Sequence, residues 1–193
     1  MSFTRAAGAA KSRSRQSGMS MIELLIAMLV LVVGMMGSMI LVRTAITGNN
    51  RNKLDTASTA LAQMVMEEII ARPAKVNTAF VTTDCAGNLL TINPTGAASP
   101  GAGATVAQAT GTIDYNQNLA AVPAGYSMTY ITCGDAAANS ANARVTYEIR
   151  WNVQTMSANT KLVTVSARKQ ITTAAGSLPY FSVPVTLRGV AGN

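Results

Sequence analysis

Ser17-Gly18-Met19-Ser20-Met21-Ile22-Glu23-Leu24-Leu25-Ile26-Ala27-Met28 is the stretch that decides how this chain is built. A basic head carrying Arg5, Lys11, Arg13 and Arg15 and no acid meets an apolar run at a glycine. One carboxylate, Glu23, sits five residues beyond that glycine, and from Leu24 to Val42 nineteen consecutive positions carry no charge. At about 1.5 Å per residue, that run makes a helix of about 28 Å, close to the hydrocarbon thickness of a bilayer. It reads as a membrane span. The basic flank holds the first end on the cytoplasmic side, an assignment weakened by Arg43, Arg51 and Lys53 beyond the span. A carboxylate at the centre of such a helix costs about 2–3 kcal/mol, so a compensating charge is expected for Glu23.

Three processing schemes can be compared. A secretory signal has an apolar core of about 7–15 residues followed by a small-residue cleavage site. Here the core is longer, and no good Ala-x-Ala follows it. A lipoprotein signal needs a cysteine just after the core, where none occurs. The third scheme cuts before the run, between Gly18 and Met19, and keeps the run on the mature protein. Gly18-Met19-Ser20-Met21-Ile22-Glu23-Leu24-Leu25 resembles the prepilin peptidase site of type IV pilins and type II secretion pseudopilins. The resemblance implies cleavage after Gly18, N-methylation of Met19, and Glu23 as the family's acid at the fifth mature position. In a bundle of such helices, Glu23 of one subunit would meet the charged Met19 amine of its neighbour. A paired carboxylate is tolerated in an apolar bundle where a bare one is not.

The resemblance extends through Leu31-Val32-Val33-Gly34-Met35-Met36-Gly37 and the segment Met66-Glu67-Glu68-Ile69-Ile70-Ala71-Arg72-Pro73, which look like minor pilins of the PilV kind. It implies prepilin peptidase and other minor and major pilins as partners. It also implies the bacterial inner membrane with a periplasmic head before assembly, then a cell-surface pilus. The expected division is a leader at 1–18, a helix at 19–72 (span 19–42, amphipathic 43–72) and a head at 73–193.

The charge of the whole chain has to be located before it means anything. Taking the four leader charges from the formal +7 leaves +3, which is too mild to argue for nucleic acid. The sequence has no histidine, so the usual proton shuttle and commonest metal ligand are absent. Cys85 and Cys133 lie in the expected exported part and point to one disulfide, the alternative being two buried thiols. Closing a loop of about 48 residues would stabilise the fold by about 4 kcal/mol in the chain-entropy view.

No proline occurs before Pro73, so one helix is expected from Met19 to Ala71, stopped by Arg72-Pro73. In its second half Leu54, Ala57, Leu61, Met64 or Val65, and Glu68 or Ile69 recur at helical spacing. That stripe should pack on the head, leaving Arg51, Lys53, Asp55, Gln63 and Glu67 to water. Gly34 and Gly37 read either as a point where the helix bends or as part of a small-residue packing face with Ser38. The helix-breaking proline of many major pilins is missing from this stretch.

Residues Ala86 to Gly111 are uncharged and rich in Gly, Ala, Ser, Thr and Pro. They read as a long surface loop with one short strand at Asn88 to Ile92, either a solvated spacer or a contact surface. From Arg144 to Val153, Val145, Tyr147, Ile149, Trp151 and Val153 alternate with Thr146, Glu148, Arg150 and Asn152, as in a strand with one wet face. Tyr126 to Thr132 and Lys161 to Ile171 read similarly, with linkers at 134–143 and 155–160. Phe181 to Arg188 also alternates, and Pro184 puts it at a sheet edge if it is a strand. The expected fold is α+β and type IV pilin-like: one long N-terminal helix packed against an antiparallel sheet of three to four strands. Trp151 reads as a core aromatic, with a ligand platform as the alternative.

No catalytic constellation, cofactor loop or metal-ligand spacing is present in the sequence, and an enzyme is not expected. The leading reading is a minor pilin acting in pilus assembly, initiation or adhesion. The alternatives are a type II secretion pseudopilin and a filament-displayed binding module for DNA or glycans. The charged residues of the head, Lys75, Arg144, Arg150, Lys161, Arg168, Lys169 and Arg188 with Asp84, Asp114, Asp135 and Glu148, read mostly as solvated strand faces.

Overall fold

A computed structural model describes residues 20–133, 144–170 and 183–192. The expected linker at 134–143, together with Ile171 and Phe181, lies outside them. The chain divides into two units, residues 1–48 and 49–193.

One α-helix, α1, runs Met21–Ile70. Through the first unit it is unbroken, and it continues across Gly34 and Gly37. The hydroxyls of Ser38, Thr44 and Thr47 donate to the carbonyls of Met35, Ile40 and Arg43, each at 2.9 Å. Returning these hydroxyls to the helix's own backbone leaves them satisfied where no water is present.

Among the described residues, the second unit joins the rest of α1 to nine strands. β1 (Phe80–Thr83) and β2 (Leu89–Ile92) form an antiparallel hairpin. β3 (Ala102–Gly103), β4 (Val106–Ala107) and β5 (Thr112–Ile113) follow, β4 pairing with β5. After a 3-10 turn at Leu119–Ala121 come β6 (Ser127–Thr132), β7 (Val145–Ser157), β8 (Thr160–Lys169) and β9 (Val185–Gly192). The main sheet has five antiparallel strands in the order β3-β7-β8-β9, with β6 also paired to β7.

The core forms where α1 lies on one face of this sheet. Leu61, Ala62, Val65 and Ile69 of α1 are buried against Tyr147, Ile149, Trp151, Val153, Val163, Val165 and Ala167. Lys53, Asp55, Gln63 and Glu67 are exposed, as the stripe demands. At Gly189 of β9 a β-carbon would stand 2.6 Å from Ile70 Cδ1 and 3.1 Å from Met66 Sδ, so a larger residue there would have to displace the ends of those two side chains. The α+β class is as expected, but the sheet has one strand more than the upper expectation.

Three segments differ from the sequence reading. The stretch 86–111 has its expected strand, β2, but is not otherwise simply a surface loop: Ile92, Pro94 and Ala104 are buried, and it also supplies β3 and β4. The expected linker 155–160 is mostly strand, because β7 extends to Ser157 and β8 starts at Thr160. Its threonines suit a pleated strand as well as a turn. Most consequential, β7 has no wet face, since every residue from Tyr147 to Val153 is buried. The chain from Ala102 to Ala121 folds back over the side that carries Glu148, Arg150 and Asn152.

Candidate functional site

Gly18 and Met19 lie outside the described residues. Glu23 sits in the first turn of α1, exposed, with its backbone N–H donating to the Ser20 carbonyl at 3.0 Å. Around and beyond it every described large apolar side chain of the first unit is solvent-facing, from Met21 at 87% to Leu24 and Val32 at 49%. Burying a side chain of this kind is worth about 1.5–3 kcal/mol, so the whole set amounts to tens of kcal/mol. The segment therefore belongs in lipid or against other apolar helices, and α1 is long and apolar enough to cross a membrane. Around Gly34 and Gly37 a β-carbon would meet nothing within 4 Å.

The head contains a charge cluster that the alternation in β7 disguised as a wet face. Antiparallel pairing sets Glu148 of β7 opposite Arg168 of β8. Glu148 Oε1 accepts from Arg150 Nε at 2.6 Å, and Arg150 Nη2 forms an ion pair with the same oxygen. Glu148 Oε2 accepts from Arg168 Nε at 3.1 Å and Nη2 at 2.8 Å. Arg150 Nη1 reaches outward to the carbonyls of Gln117 (2.7 Å) and Asp114 (3.4 Å), tying the covering segment to the sheet. Both guanidinium groups lie over the Tyr115 ring, at 4.1 Å for Arg168 and 4.8 Å for Arg150. Burial pushes the Tyr115 phenol up to about 12, so it stays neutral at physiological pH. A sequence signal existed: opposite charges at i and i+2 share one strand face, and a third charge faces them across the sheet.

Lys161 is not a solvated strand residue either. It is 5% exposed and on the helix-facing side, and its ammonium donates to Asn77 Oδ1 (2.8 Å), Pro94 O (3.0 Å) and Val76 O (3.2 Å). Three donors thus meet three oxygens, none of them a carboxylate. Burial draws its pKa below the ordinary lysine value. The contact ties the chain leaving α1 and the loop after β2 to β8. Trp151 is fully buried, with Nε1–H donating to Asn93 O at 3.1 Å, which makes it a core aromatic.

Cys85 and Cys133 form a disulfide, their α-carbons 5.3 Å apart. The bond joins the tip of the β1–β2 hairpin to the end of β6. Beside it, the Asp84 carboxylate accepts from Ala86 N, Asn88 N and Asn88 Nδ2, each at 2.9 Å, and from Ile131 N at 3.4 Å. Desolvation alone would raise its pKa. The hydrogen bonds from the Asn88 side chain and the three backbone N–H groups outweigh that and hold it below the usual value. Among the described residues, no three His, Cys, Asp or Glu side chains come together as metal ligands.

Residues 13–39 match the family model described as the prokaryotic N-terminal methylation motif. No curated protein and no solved structure matches the chain. The matched segment contains Gly18, Met19 and Glu23 and runs on through the exposed apolar start of α1. The motif supports a type IV pilin-like protein processed by prepilin peptidase, and it points to a structural subunit.

Proposed function

We propose that this chain is a minor pilin of a type IV pilus, of the PilV kind, acting in pilus assembly, initiation or adhesion. Prepilin peptidase cuts between Gly18 and Met19, removing 1–18, and Met19 is N-methylated. The mature helix holds the subunit in the inner membrane with its head in the periplasm, and then inserts among major and other minor pilins at the cell surface. Glu23 pairs with the Met19 amine of a neighbouring subunit, and the pair sets the axial register between helices. The observation that carries this reading is the methylation motif running directly into an apolar helix that no described residue of its own unit covers.

The test is the mass of the purified native protein together with the fate of Glu23→Ala. A mature N-terminus at methylated Met19 is expected. The variant should be exported and cleaved normally, yet be missing from sheared pili. A native protein that retains its arginine-bearing leader, or an alanine variant recovered in pili at the normal level, would overturn the proposal. A chain absent from pili but required for type II secretion would be a pseudopilin instead.

A further inference from the structure

The sheet face that bears the Glu148 cluster also carries a polar cleft. The strand register places Asn152 of β7 beside Thr164 of β8, and Thr164 beside Arg188 of β9. Three polar side chains thus form one row across three strands, and Gln154 extends the floor from the next row. The loop at 99–100 and the turn at 108–111 wall a cleft of about 340 Å³, at the small end of the range for ligand pockets.

Both walls are shaped around this row. Gly111, at φ +68°, lies against the Arg188 guanidinium, and a β-carbon there would stand 2.8 Å from Nη1. Gly101, at φ +98°, leaves room in the same way for the Asn152 carboxamide. Asn152 is 5% exposed and anchored, its Nδ2 donating to Ala104 O at 2.9 Å. Arg188 is exposed, and among the described residues no carboxylate forms an ion pair with it. It is the single charged group in the lining, which is otherwise rich in carboxamides and hydroxyls and has no aromatic ring.

These groups select a ligand class. A lone guanidinium favours a carboxylate, which it can hold through two parallel hydrogen bonds. Carboxamides and hydroxyls donate and accept in turn, matching a ring of hydroxyl groups. Val106 and Leu162 are the larger apolar residues of a mainly polar lining, which suits a hydroxylated ligand better than the alternating apolar side chains of an extended peptide. We propose that this cleft binds a saccharide unit bearing a carboxylate, with the acid on Arg188 and the ring hydroxyls on Asn152, Gln154 and Thr164. The site stands independently of the pilin reading.

The test is calorimetric titration of the full chain, in a non-ionic detergent without sugar headgroups, with tetragalacturonate. Maltotetraose supplies hydroxyls without acid, and tetraglutamate supplies acid without sugar hydroxyls. Saturable binding is expected for tetragalacturonate alone. Arg188→Gln should weaken it about tenfold or more, the scale of one lost charge-assisted contact. Gly111→Ala should also weaken it, by displacing the guanidinium, and Lys53→Gln on the exposed side of α1 should change nothing. Unaltered Trp151 emission would show that each variant is folded. If Gly111→Ala fails to fold, Arg188→Gln, a surface change, is sufficient to decide. No binding of tetragalacturonate, equal binding of either comparison ligand, or full binding by Arg188→Gln would overturn the proposal.

Discussion

Replacing Glu148 with glutamine keeps the shape of the side chain and removes the charge on which two arginines converge. The effect should differ between the partners. The Arg168 side chain is 30% exposed, so water can replace much of what it loses, and its share is about 0.5–1 kcal/mol. The Arg150 side chain is 2% exposed and cannot be rehydrated without opening the sheet face. Its remaining acceptors are the introduced carboxamide oxygen and the Gln117 and Asp114 carbonyls at 2.7 and 3.4 Å, and none of them neutralises it. Stranding a buried charge costs about 3–5 kcal/mol, so we expect Glu148→Gln to destabilise the head by about 3–4 kcal/mol. Urea unfolding of the full chain in detergent would read this through Trp151, the single tryptophan and a fully buried one. Thermal unfolding should show a midpoint lower by about 6–16 °C for a head of this size. The double variant Glu148→Gln/Arg150→Met should recover at least half of the loss, because no unpaired buried charge then remains at this site. A single-variant loss below about 1 kcal/mol, or a double variant worse than the sum of the singles, would refute the reasoning.

Lys161→Met leaves three oxygens without their donor and should cost about 2–4 kcal/mol in the same urea assay. Because burial lowers the folded pKa of Lys161, the unfolded state binds the extra proton between that value and 10.5. Stability should therefore rise with pH through this window, and the methionine variant should lose that rise. Asp84 carries the opposite sign: its folded pKa lies below 3.8, so its contribution is present above 3.8 and disappears as pH falls through the folded value. Thermal midpoints taken from about pH 7 to about pH 2.5 should fall less steeply for Asp84→Asn, which starts lower because an amide cannot accept from all four donors.

The parts of the fold legible in the sequence were those governed by one short-range rule. Pro73 ends the helix, the stripe Leu61, Val65 and Ile69 faces the core, and Tyr147, Ile149, Trp151 and Val153 point the same way. What was not legible depended on the chain returning to a face already assigned. Alternation in β7 shows that Glu148, Arg150 and Asn152 share a side, but it cannot show that the segment 102–121 covers that side. A polar residue facing a carbonyl reads the same as one facing water. Lys161 was misplaced for that reason: its carbonyl partners at Val76 and Pro94 have no side-chain signature. The cleft at Arg188 was hidden more deeply, since it needs the register of three strands and two glycines from separate loops.

Gly34 and Gly37 have a consequence for how mutants would be interpreted. Among the described residues, no neighbour within the chain lies close enough to forbid a methyl group at either position. Alanine there also favours the helix by about 1 kcal/mol. A loss-of-function allele at either position, in a strain that still makes a folded, disulfide-bonded head, would therefore report a failure between molecules. Suppressors of such an allele should be sought in genes for the subunits it meets rather than elsewhere in this one.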